Sequence, residues 1–177
     1  MRIETIPEHA LSRDQDAEIG ALLDVTFGTE AGFSGRSFHK MRHHLRYLVR
    51  DHGRLIGHAA VQMRAIRQGS RPLTIAGLAE VATHPLYRHQ GVATALVRAA
   101  LTGMSGTIAE FAVLFGYPAL YATLGFQPAA NPVTYVSFDS GRPVALETRA
   151  FDSFMVCPLG SDPWNGTEDV DLCGPLF

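Results

Sequence analysis

The chain has little of what marks the specialised classes of protein. Two cysteines among 177 residues, Cys157 and Cys173, cannot build a disulfide framework and fit no metal-ligand pattern. Both read as reduced thiols of a cytoplasmic protein. No stretch approaches the roughly 20 apolar residues of a membrane span, and Met1-Arg2-Ile3-Glu4 leads into no apolar signal segment. Charge of either sign is sparse, and 15 Lys+Arg against 17 Asp+Glu leave a net charge of -2. That balance argues against a general nucleic-acid partner. The eight histidines show no metal spacing at His39, His58, His84 or His89, and the adjacent pair His43-His44 would point in different directions on a helix; no metal is expected. What remains is a globular composition, 46% hydrophobic, of a length suited to one domain over 1–177.

Ser12 and Gln15 make a Ser-x-x-Gln capping box. Ile19, Leu22, Leu23 and Phe27 follow at helical spacing, which predicts a helix over about 14–27. Gly28, Gly32 and Gly35 mark a loop carrying Glu30 and Phe33. Ser37 is placed to cap a second helix with Met41, Leu45 and Leu48 on one face. Tyr47-Leu48-Val49-Arg50 and residues 55–63 read as a hairpin turning at Asp51-His52-Gly53. A turn over 68–72 precedes a nearly all-apolar strand, 73–83, expected at the centre of a sheet. Then come a helix over about 91–101, a buried strand 108–115, and a short helix 118–124 ended by Gly125. Two late strands follow, 134–138 and 151–156. The strand–helix–strand run from 73 to 115 makes one right-handed crossover. The tail over 160–177, rich in Gly, Pro and Asp, is expected on the surface. The order predicts an α/β domain with a central mixed sheet flanked by helices and a core over about 14–158.

The most informative stretch is Val81-Ala82-Thr83-His84-Pro85-Leu86-Tyr87-Arg88-His89-Gln90-Gly91-Val92-Ala93-Thr94. A strand runs into a proline-marked turn, then a basic loop with a glycine, then an alanine-rich helix. Loop N–H groups and the positive end of the helix dipole converge there, which builds an anion site suited to a phosphate-bearing cofactor. Gly91 and Ala93 are small enough for backbone to approach a pyrophosphate, and Arg88 adds a charge-assisted contact.

Arg88-x-x-Gly91-x-Ala93, placed after that strand, resembles motif A of the GNAT superfamily of N-acetyltransferases, Gln/Arg-x-x-Gly-x-Gly/Ala. The approach from Glu80 through Pro85 to Tyr87 is similar to the usual run-in. Tyr121-Ala122-Thr123-Leu124-Gly125-Phe126 resembles the Tyr-x-x-x-Gly-Phe of motif B, about 30 residues on with a strand between. The resemblance covers about 14–138 and implies the GNAT acyl-CoA N-acyltransferase fold with acetyl-CoA as cosubstrate. It implies that pantetheine pairs along Val81, Ala82 and Thr83, and that Arg88, His89, Gln90, Gly91, Val92, Ala93 and Thr94 hold the pyrophosphate. It also implies that Tyr121 gives a proton to the leaving thiolate, or stabilises its charge.

Two shorter resemblances bear on the substrate. His52 to Val61 is similar to a segment of the aminoglycoside 2′-N-acetyltransferases. Gly28 to Phe33 with Phe38, and the tail from Trp164 to Pro175, resemble the nodulation N-acyltransferases. Both relatives acylate an amine on an amino sugar, so they imply an aminoglycoside or related substrate and a role in antibiotic resistance. Direct attack of the amine on the thioester is the expected reaction, with Glu80 as the base that takes the amine proton. A cationic substrate calls for acidic walls, which Glu30, Asp152, Asp162, Glu168, Asp169 and Asp171 could supply. Phe33 and Trp164 could pack on a sugar face, the carboxylate of Phe177 could add a contact, and the tail 159–177 would close the substrate site. Many relatives dimerise, and the late strands could pair across a two-fold axis. Two other readings stay open: acylation of a protein or peptide amine (or use of a longer acyl donor), and a non-catalytic acyl-CoA-binding module. The presence of Tyr121 argues against the last.

Overall fold

The computed structural model describes residues 1–139 and 141–177. Strands β1 (Ile3–Pro7), β2 (Leu45–Asp51), β3 (Arg54–Gln68) and β4 (Arg71–Thr83) come first, with helix α1 (Arg13–Phe27) between β1 and β2. Helix α2 (Val92–Met104), β5 (Phe111–Phe115), helix α3 (Pro118–Tyr121) and β6 (Gln127–Pro128) follow. The chain ends with β7 (Val133–Asp139), β8 (Arg142–Arg149), β9 (Phe154–Pro158) and β10 (Val170–Asp171). It divides into two compact units, Met1–Gln62 with Ala79–Thr102, and Met63–Leu78 with Gly103–Phe177. The cuts fall inside β3 and β4.

In the first unit, β1 pairs antiparallel with β2, and β2 with β3. The capping box forms as the sequence predicts: Gln15 N–H donates to Ser12 Oγ at 3.1 Å, and Ser12 N–H to Gln15 Oε1 at 3.0 Å. This starts α1, whose Ile19, Leu22 and Leu23 pack with Ile6, Leu48, Leu55 and Ala82. Gly20 lies where a side chain would collide with the backbone of Gly35, so the loop after α1 lies directly on the helix.

The expected second helix does not form. Residues 37–44 are irregular and β2 begins at Leu45. Ser37 is buried and donates to Asp16 Oδ1 instead of capping. Its carbonyl accepts Arg46 Nη1 at 2.7 Å. Burying Arg46 against carboxylates organises this segment, and an apolar 3.6-residue spacing is overridden.

The second unit carries the sheet order β6-β9-β5-β4-β3-β10-β7-β8. β4–β5 and β10–β7 run parallel, while β5–β9, β6–β9, β7–β8 and β10–β3 run antiparallel, a mixed sheet as predicted. Its core gathers Ile66, Leu73, Ile75, Phe111, Val113, Phe154 and Val170. Three expectations fail here. Ile108 is exposed, and the strand begins at Phe111. The last long strand begins at Phe154, not 151, because Phe154 N–H donates back to the Phe151 carbonyl at 3.1 Å and closes a turn through Asp152. The tail is not a surface segment throughout: Val170 and Leu172 are fully buried and β10 inserts between β3 and β7. Buried Asn131 draws the tail in, donating to the carbonyls of Asn165 and Glu168 at 2.9 and 2.7 Å and accepting Trp164 Nε1 at 2.9 Å.

Candidate active site

The loop between β4 and α2 has the form the sequence predicts. His84 anchors its start: its N–H donates to the Ile56 carbonyl at 2.9 Å, and its ring accepts the Leu86 N–H at 3.3 Å. Tyr87 donates from its hydroxyl to Asp51 Oδ2 at 3.1 Å. His89 and Gly91 both adopt left-handed backbone, with φ of 62° and 77°. A Cβ at Gly91 would meet nothing within 4 Å, so glycine is required there for its backbone conformation and not for space.

The helix then enters with the Ala95 N–H on the Gly91 carbonyl at 2.9 Å. The N–H groups of Val92, Ala93 and Thr94 find no acceptor among the described residues, so the helix start presents unpaired donors and the positive end of its dipole, a form suited to an anion. Arg88 and Gln90 are exposed at this end. They make long contacts only, to the Thr26 carbonyl at 3.3 Å and the Leu86 carbonyl at 3.4 Å. Gly57 on β3 sets the depth of α2, since a side chain there would collide with Val92 and come 3.0 Å from Leu96 Cδ1. On β4, Ala82 is buried and Val81 and Thr83 are half-buried; Thr83 Oγ1 is buried without a hydrogen bond among the described residues.

Glu80 has left-handed backbone, φ 53°, inside a strand, an unfavourable conformation for a residue with a side chain. Its carbonyl accepts the ring Nδ1–H of fully buried His58 at 2.9 Å. The carboxylate reaches three partners. Oε1 accepts the His39 backbone N–H at 3.1 Å, and Oε2 accepts Arg46 Nη1 at 3.2 Å. Oε2 also lies 3.0 Å from His43 Nε2, at ion-pair distance but outside hydrogen-bond geometry. Burial raises the Glu80 pKa, but His43 and the charge of Arg46 outweigh it and hold the carboxyl below its ordinary value. His58 is held neutral: burial first, and then the Arg46 charge, push its pKa down to about 3. With Nδ1 donating to a carbonyl, His58 Nε2 accepts from Arg46 Nη1, 3.2 Å away. This network was not legible in the sequence. Arg46, His43 and His58 stand on three different segments, and nothing in their spacing connects them to Glu80.

Tyr121 ends α3 in the second unit. Its ring is buried edge-on to Phe126 at 5.8 Å, in space that exists because residue 116 is glycine. Burial raises its pKa, so the phenol keeps its proton. Its hydroxyl makes no hydrogen bond among the described residues. Gly125, with φ 92°, ends the following 3-10 turn at 122–124.

The expected substrate residues fare unevenly. Phe33 is 6% exposed and packs in the first unit's core, and Trp164 is packed edge-on to Phe111 at 5.0 Å with its N–H committed to Asn131. Phe33 has no ring face open to a sugar, and Trp164 is only partly exposed. Asp152 sits in the turn before β9 rather than on a strand. Glu168 and Asp169 are exposed beside the β3–β4 turn, where the Asp169 carbonyl accepts Gly69 N–H at 2.8 Å. Asp162 pairs there with Arg71 at 3.6 Å. Glu30 is exposed in a 3-10 turn, Thr29–Ala31. The ring of Phe177 occupies the space beside Gly77 and lies under the Arg64 guanidinium at 4.6 Å. Among the described residues no group of three His, Cys, Asp or Glu is placed to hold a metal, and no helix is long and apolar enough to cross a membrane.

Residues 11–129 match the family model of the acetyltransferase (GNAT) domain. The chain belongs to the GNAT family of acetyltransferases, enzymes that use acetyl-CoA as cosubstrate. Solved structures agree with that fold. The GNAT family N-acetyltransferase YhbS from Escherichia coli, in complex with CoA, is 24% identical, with a TM-score of 0.69 over 97% of this chain and 90% of that one. A GNAT family acetyltransferase from Brucella melitensis, in complex with acetyl-CoA, is 19% identical at a TM-score of 0.61, covering 95% of each chain. The ribosomal-protein-S18-alanine N-acetyltransferase of Escherichia coli is 18% identical at 0.57, over 93% of this chain and 98% of that one. Against a GCN5-related N-acetyltransferase from Kribbella flavida the chain spans about a third of the relative's length, 34%. No curated protein matches the chain in sequence.

Proposed function

We propose that this chain transfers the acetyl group of acetyl-CoA to a primary amine of an aminoglycoside or related amino sugar. The observation that carries the cofactor half is the left-handed Gly91 followed by the free N–H groups of α2, on the residues that resemble motif A. The amine attacks the thioester carbon, a C–N bond forms and the C–S bond breaks. The electron pair goes to sulfur, which takes the proton of the Tyr121 phenol, and the proton lost by the acylated nitrogen returns to the phenolate. Most of the acceleration comes from holding amine and thioester in line.

The substrate half is supported by exposed carboxylates that complement a cationic amine, Glu30, Asp152, Glu168 and Asp169, and by the likeness of 52–61 to the aminoglycoside enzymes. On this reading the chain acts in antibiotic resistance. It also includes a homodimer, for which β8 supports the pairing: it is exposed along its length and pairs on one side with β7. The test is thiol release from acetyl-CoA over a panel of gentamicin, kasugamycin, glucosamine and an alanyl peptide. Release with an amino sugar and a matching acetyl mass gain is expected. Release with the peptide alone would replace the substrate assignment and leave the transferase intact.

A further inference from the structure

Glu80 is a poor free base. Both of its oxygens are engaged, by the His39 N–H, Arg46 and His43, and a carboxylate held below its ordinary pKa binds a proton weakly. An amine that arrives as ammonium must still lose a proton before it can attack, so the site needs another acceptor. Three imidazoles stand around Glu80. His58 has both ring nitrogens committed, one to the Glu80 carbonyl and one to Arg46. His39 packs its ring against Phe33 at 5.8 Å, and its pKa is lowered, by burial first. His43 differs from both. Its side chain is 5% exposed, and neither ring nitrogen has a hydrogen bond among the described residues. A buried polar atom left this way is costly unless something else satisfies it.

We propose that His43 is the proton acceptor of the reaction and that Glu80 is the carboxylate that orients it. Resting on the acetyltransferase reading above, this assigns the base that the reading requires. Glu80 Oε2 faces His43 Nε2 and selects the tautomer with the proton on that nitrogen, which leaves the lone pair of the buried Nδ1 without a partner among the described residues. As the ammonium gives up one proton, that proton passes to Nδ1. The Nε2–H of the new imidazolium stays on Glu80, and the proton leaves to water after the product departs. Glu8 from the turn after β1 and Glu80 from β4 face the single charge of Arg46 from β2, leaving one negative charge in excess. His58 from β3 is neutral, and Arg42 is taken up by Asp16 at 2.8 Å, with a longer contact of 3.2 Å to Glu8.

The full chain, labelled with 15N, answers part of this without any amine, by long-range NMR of the histidine rings between pH 5 and pH 9. The His43 signals, assigned with His43→Gln, should show the Nε2–H tautomer, and Glu80→Gln should raise the share of the Nδ1–H tautomer. A neutral His43 with its proton on Nδ1, or a tautomer indifferent to Glu80, overturns the proposal. With the panel amine that accepts acetyl, His43→Gln should lower kcat by about 100-fold while KM for acetyl-CoA changes less than twofold, and His43→Ala should recover rate with added imidazole. Retained kcat in both variants overturns the proposal as well. A panel with no acceptor defeats the substrate assignment but leaves the tautomer result to decide the role of His43.

Discussion

Arg46 grips both oxygens of the Glu8 carboxylate, Nε to Oε2 at 2.7 Å and Nη2 to Oε1 at 3.0 Å, and the guanidinium is wholly buried. A third nitrogen, Nη1, turns to Glu80 and to the Ser37 carbonyl. One cation thereby ties the turn after β1, the loop before β2 and the left-handed residue of β4 into one piece. Replacing Arg46 by Ala should leave two buried carboxylates without their partner and cost about 3–5 kcal/mol. Urea denaturation at pH 7 checks this. A loss under about 1 kcal/mol would mean the pair behaves as a surface salt bridge.

The same cluster predicts an acid limb in stability. His58 has its pKa depressed from 6.5 to about 3 in the fold, so as pH falls the unfolded chain takes the proton first. Its contribution is complete above pH 6.5 and is lost between there and about 3, at up to about 1.4 kcal/mol per pH unit. Glu8, Glu80 and Asp16 are also depressed, and their contributions are lost below their ordinary values of 4.5, 4.5 and 3.8. Between pH 6.5 and 5, His58 therefore acts before the carboxylates do. His58→Gln should flatten the fall in denaturation midpoint over that range, and an unchanged slope would contradict it.

Gly57 sets where α2 begins to press on β3. Gly57→Val should push Val92 and Leu96 outward and move the donors at the start of the helix. Isothermal titration should then show acetyl-CoA binding weakened at least about tenfold, a loss of about 1.4 kcal/mol. Unaltered affinity would mean that the helix start does not contribute to the cofactor site.

Tyr121→Phe removes one oxygen and leaves the ring against Phe126. Turnover should drop by about 100-fold, with KM for acetyl-CoA little changed, because in the proposed mechanism the phenol acts on the leaving sulfur and not in binding. Equal turnover in the variant would take Tyr121 out of the mechanism.

Much of the fold was legible because local signals agreed with one another. Ser12 and Gln15 announced α1. The apolar run 73–83, the loop after it and Gly91 announced β4 and α2, and these are also the residues that carry the family's first motif. Reading failed where distant partners decide. Ser37 reads as a helix cap, but burial beside Asp16 and Arg46 holds it in an irregular segment. Glu80 could not be assigned a face by counting along the strand, because its left-handed backbone breaks the two-residue alternation on which such counting depends. Val170 and Leu172 look like surface residues in a tail rich in Gly, Pro and Asp. Their burial follows from the hold of Asn131 on residues 164–168, which local composition does not record.

The loop and helix start at 88–94 form the proposed acetyl-CoA site, and isothermal titration of the cofactor into the wild-type chain and Gly91→Glu tests this most directly. The wild type should bind one equivalent, and the variant, with strained backbone and a negative charge at the pyrophosphate, should lose binding while still unfolding in one cooperative transition, at a somewhat lower temperature. Failure of the folded wild type to bind, or equal affinity in the two proteins, would contradict it.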